Sequence, residues 1–104
     1  MPTYKVAFDS LEWQASTPGA RFKVFSDRSK QVRLLEFSSE FVELQYCLKA
    51  HIGIVLEGEL EIDFDGKIIC YGKGDGVFIP KGEVAQHKAR SLTPSVQLFV
   101  VEEA

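Results

Sequence analysis

At 104 residues, with 45% hydrophobic and 26% charged content, the chain has the size and composition of one globular domain with a single core. Its formal net charge of −3 argues against a nucleic-acid partner, which would require a basic face. No apolar run approaches the ~20 residues that span a bilayer, and Met1-Pro2-Thr3-Tyr4-Lys5 lacks the charged-then-apolar order of a signal peptide. The expectation is therefore a cytoplasmic protein with no membrane partner, whose two cysteines, Cys47 and Cys70, stay reduced. Cys70 reads as a small buried hydrophobe.

In chain order, residues 5–8 suggest a short strand, and Asp9 stands three positions before Glu12 as in a capping box. Thr17-Pro18-Gly19 would stop any helix there after one turn. Residues 21–25 alternate as a strand does, 26–30 form a polar loop, and 32–37 and 42–48 are two more strands. Residues 52–56 are almost continuously apolar, the pattern of a strand buried on both faces. From Gly58 to Phe64 the chain alternates strictly: Leu60, Ile62 and Phe64 on one face, Glu59, Glu61 and Asp63 on the other. Asp65-Gly66 supplies two residues tolerant of positive φ, as a type I′ hairpin requires, and residues 67–71 return from it.

Gly72-Lys73-Gly74-Asp75-Gly76 is too rich in glycine for regular structure, and it lacks the Gly-Lys-Ser/Thr ending of a phosphate loop. Val77-Phe78-Ile79 is a strand stopped by Pro80. Lys81, Lys88 and Arg90 gather near His87 as a solvated basic face. In the last strand, residues 95–102, Val96 and Leu98 can face a core. Phe99 and Val101 then need a second cover, either an N-terminal strand or another subunit. About nine or ten short strands with almost no helix specify an all-β antiparallel barrel or sandwich.

The region 45–87 resembles the cupin family, small β-barrels of jelly-roll type. Their first motif is G-x5-H-x-H-x3,4-E-x6-G and their second G-x5-P-x-G-x2-H-x3-N. Gly74, Pro80 and Gly82 match the start of the second motif, and Gly58 closes the first. The ligand positions depart from the pattern. His51 stands where the glutamate belongs, Gln45 and Cys47 (or Leu44 and Tyr46) where the two histidines belong, and Ala85 where the third histidine belongs. His87 lies two residues further on, a displacement that keeps a side chain on the same face of a strand. By the same parity Gln45, Cys47 and His51 share a face if the strand runs on unbroken.

The resemblance implies a single cupin-like jelly-roll domain over residues 1–104 that holds a divalent metal ion, a small molecule, or both inside the barrel. The expected metal ligands are His51, His87, Cys47 and Gln45. Neutral imidazoles suit a divalent ion, and the thiol favours zinc, with iron, nickel and manganese left open. No acid–base partner for catalysis is identifiable. The expected partners are a small-molecule ligand in the barrel and a second copy in a homodimer. Two alternatives stand beside this reading: a metal-dependent oxygenase or isomerase on the same barrel, and a metal-free interaction dimer.

Overall fold

In the computed structural model, which describes residues 4–104, the alternating segments form nine strands. They are β1 (Gln14–Ala15), β2 (Ala20–Asp27), β3 (Lys30–Ser38), β4 (His51–Glu57), β5 (Glu59–Phe64), β6 (Lys67–Gly72), β7 (Gly76–Ile79), β8 (Lys88–Ser91) and β9 (Ser95–Glu103). All pairings are antiparallel, in one sheet ordered β1-β2-β3-β9-β4-β7 and another ordered β6-β5-β8. The two ladders do not join into one closed cylinder. They face each other across a single core in which Val55, Leu60, Val96 and Val100 are fully buried. This is the expected all-β jelly-roll architecture. Met1, Pro2 and Thr3 of the N-terminal segment lie outside the described residues.

Register decides what points inward. Leu35, Leu98 and Val55 are paired in one row, and Arg33, Val100, Gly53 and Val77 in the next. Gly53 is required there, because a Cβ would collide with the Phe99 carbonyl oxygen of β9. The inward parity of β9 runs Val96, Leu98, Val100 and then Glu102, which pairs with Gln31 of β3. A carboxylate therefore ends a row of core side chains. The β5–β6 hairpin turns at Asp65 (φ 55°) and Gly66 (φ 99°), as the two-residue turn demands.

Several expectations are corrected. Residues 5–8 form no strand; a 3-10 turn begins at their last residue and spans Phe8–Ser10, with no side-chain cap from Asp9. The expected loop 26–30 is a tight hairpin, since β2 and β3 pair out to Asp27 and Lys30. β4 is buried on one face only: Ile52, Ile54 and Leu56 are exposed on the other. Cys70 is exposed too, because β6 lies at the edge of the smaller sheet with Ile68 and Ile69 also open to solvent.

The largest correction concerns the expected strand 42–48. Only Val42 and Cys47 form bridges, to Arg90 and His87. Five steps along the chain from Val42 to Cys47 thus oppose three from His87 to Arg90. The two surplus residues bulge out, with a bend at Gln45. The ladder also breaks chemically: the Ala89 N–H is taken by the Glu43 carboxylate at 2.9 Å, while the Glu43 N–H reaches the Ala89 carbonyl at 2.8 Å.

Candidate metal centre

Three elements converge on one wall of the interior. Cys47 and His87 are bridge partners, exchanging backbone hydrogen bonds of 2.6 and 3.0 Å, so their side chains emerge on the same face. His51 opens β4 opposite Ile79 and belongs to the inward row of that strand. Cys47, His51 and His87 each offer a ligand atom, and these atoms lie within 4.8 Å of one another. The His51 and His87 rings meet edge to face with centroids 5.0 Å apart. His87 is buried at 3% exposure, and Cys47 and His51 are half-buried.

Hydrogen bonds set which ring nitrogen is free. His51 Nδ1 lies 2.6 Å from Glu102 Oε2, and His87 Nδ1 lies 3.0 Å from the Ala85 carbonyl. An ionised carboxylate and a carbonyl only accept, so each Nδ1 carries a proton, and in the neutral ring each Nε2 keeps its lone pair. The Cys47 thiol approaches His51 Nε2 at 3.8 Å. Two imidazoles with lone pairs available beside a thiol form a donor set that fits a tetrahedral ion such as zinc, with one position left over. An acceptor behind a ligating histidine fixes the ring and raises its basicity.

Glu102 is the residue of this cluster that the sequence did not disclose. Arg33 grips it with Nε and Nη2 at 2.7 and 2.8 Å, and Gln31 Nε2 reaches it at 3.0 Å. Burial pushes its carboxyl up, but the hydrogen bonds from His51, Arg33 and Gln31 and the Arg33 charge outweigh this and hold it at about 2. The negative charge missing from position 51 is thus supplied behind the imidazole. The only signal for this in the sequence is the parity of Glu102 with Val96, Leu98 and Val100.

Of the four expected ligands, three come together. Gln45 does not: the bulge carries it to an exposed bend, and it is absent from the walls of the interior cavity. That cavity has a volume of about 170 Å³, and both histidines line it. Apolar side chains such as Phe37, Phe41, Leu60 and Ile62 make up most of the remaining wall, with Arg21, Arg33 and Glu43 as the charged exceptions.

Comparison with known proteins agrees with this fold. The chain is 38% identical over 82 residues to the uncharacterized protein YdbB of Bacillus subtilis (strain 168), covering 78% of this chain and 71% of that one. Among solved structures, KdgF from Halomonas sp. superposes with a TM-score of 0.77 at 21% identity, covering 91% of this chain and 89% of the other. The polyketide cyclase RemF from Streptomyces resistomycificus gives 0.78 at 17% identity, covering 95% and 78%. At such identities these two structures establish the fold and nothing about the reaction. Residues 49–102 match the cupin domain family, and the chain belongs to that family.

Proposed function

We propose that the protein binds one divalent metal ion through Cys47, His51 and His87 and offers its remaining coordination position to a small molecule in the cavity. The observation that carries this reading is the pair of tethered Nδ1 atoms, which leaves both Nε2 lone pairs available beside the thiol. Zinc is the favoured ion because the thiolate is a soft ligand. Gln45 has no place in the set. The single domain expected over residues 1–104 is the setting for this one site. The test is calorimetric titration of zinc into metal-free protein, with metal analysis of the product. Wild type should take up one equivalent, and His51→Ala and His87→Ala should each abolish stoichiometric uptake without loss of fold. Equal uptake by wild type and the double variant would overturn the reading.

We also propose that the partner is a second copy of the chain. The outer face of the larger sheet carries one cross-strand row, Phe25, Val32, Val101, Ile52 and Phe78, in which each residue is the register partner of the next. Four of the five are exposed, Phe78 at 78%. The adjacent row is covered within the chain at Lys23 and Phe99, since Phe8 packs edge to face on Phe99 and its carbonyl accepts from Lys23 Nζ at 2.8 Å, while Ile54 of that row is exposed. An apolar row five strands wide beside a partly covered one supports a self-complementary interface. Sedimentation should show a species of twice the 11.7 kDa chain, and Ile52→Lys should return it to one chain. A wild-type monomer at micromolar concentration would overturn the dimer.

A further inference from the structure

The charged groups of the cavity wall are not equivalent. Arg21 lines it but is engaged by Glu36, at 2.7 Å from Nε, and lies over the Trp13 ring. Arg33 lines it but is held bidentate by Glu102. Each arginine therefore meets an occupant with its charge already balanced. Glu43 is different. Its Oε1 accepts the Ala89 N–H at 2.9 Å, and no lysine, arginine or histidine pairs with it among the described residues. Its second oxygen has no hydrogen-bond donor among the described residues.

The position of that carboxylate is also set. Ala89 is buried, lines the same cavity and stands two residues after His87, whose bridge leads directly into β8. Two residues of strand span roughly 7 Å. The cavity therefore has the His87 ring on its wall and, one such step along, a carboxylate with one oxygen lacking a donor among the described residues, in a wall that is otherwise mostly apolar. Its volume of about 170 Å³ exceeds the ~150 Å³ of an apolar cavity that accommodates benzene.

We propose that Glu43 selects the occupant of this cavity: a molecule about the size of one ring, largely apolar, that carries a hydroxyl or amine donor and no negative charge. This rests on the reading of the barrel interior as a ligand site. A hydroxyl or ammonium group gives the open carboxylate oxygen its missing partner, whereas an anion would meet like charge in a weakly solvated space.

The experiment uses four probes of one shape: benzyl alcohol, benzylamine, toluene and benzoate. Each is titrated into the full chain, metal-free and again with zinc bound, following the backbone amide signals of His87 and Ala89 by NMR. The metal-free arm keeps the outcome independent of the metal reading, since Glu43 and the apolar wall need no ion. Benzyl alcohol and benzylamine should bind at least about tenfold more tightly than benzoate, with toluene between them. Glu43→Gln keeps an oxygen for the Ala89 N–H and removes the charge. It should shrink the preference to less than threefold at unchanged melting temperature. Benzoate binding as tightly as benzyl alcohol to wild type would overturn the proposal, as would an unchanged preference in Glu43→Gln. Should that variant fail to fold, the wild-type ranking decides alone.

Discussion

His51 and His87 present the same chemical face to the cavity but are held by opposite means. His51 is fixed by side chains from other strands: Glu102 of β9, which in turn is gripped by Arg33 and Gln31 of β3. His87 is fixed by backbone: its Nδ1–H meets the Ala85 carbonyl, and its own N–H and C=O pair with Cys47. The first arrangement can be dismantled by one substitution and titrates with a carboxylate. The second contains no side chain to remove and no group that titrates. Removing a supporting side chain, or titrating that support, should therefore reach the ligand pair through His51 only.

The largest effect should come from Glu102→Ala. It strands a half-buried guanidinium and releases the His51 ring, so we expect a loss of about 3 kcal/mol of stability and a 10–100-fold loss of zinc affinity. Denaturant melts and competition with a chelator measure the two. Undiminished zinc affinity would show that the ring needs no support from behind.

Acid should reproduce the stability part of this loss. The folded pKa of Glu102, about 2, lies below its unfolded value of 4.5. Its contribution is therefore complete above pH 4.5 and declines as pH falls towards 2, by roughly 3 kcal/mol in total. Urea midpoints of wild type should fall through that window, and those of Glu102→Gln should fall less. Parallel curves would assign the acid sensitivity to other carboxylates, such as Glu36, which Gln97 and Arg21 also hold below the ordinary value against the opposing effect of burial.

Cys47→Ser touches the backbone-held side without disturbing its backbone. Zinc affinity should fall by about tenfold or more while manganese changes little, because only the soft donor is lost. Cys70→Ser, on the exposed edge of the smaller sheet, should change neither, and isothermal titration of the two variants side by side separates the roles. A small effect on stability should come from Ala85→Gly. The carbonyl that holds His87 remains, and only backbone freedom increases, for a cost of about 0.5–1 kcal/mol. A loss of affinity as large as that of Glu102→Ala would abolish the distinction between the two histidines.

The features legible in the sequence are those fixed within a few residues. Asp65-Gly66 announces its hairpin because the turn needs positive φ at both positions, and both residues tolerate it. Leu60 and Ile62 announce their burial by alternation alone. His51, His87 and Cys47 are legible as a group because they fall at or beside the positions of two family motifs. Glu102 was hidden because its partner His51 is 51 residues away and no motif joins them. Gln45 was misplaced because strand parity holds only while the ladder does, and the two surplus residues before Cys47 turn it outward. Glu43 carries no local sign at all, since its role follows from which strand it meets.

The bulge between Val42 and Cys47 sits between Glu43, which grips Ala89, and Cys47, which pairs with His87. Its length can therefore change without altering a single rung of either sheet. Lengthening or shortening it by two residues would remodel the loop between them while Glu43 stayed tied to Ala89 and the nine strands stayed in register. The fold thus carries a spacer whose length is independent of its strands, so insertion and deletion there leave the residues that hold the two sheets together undisturbed.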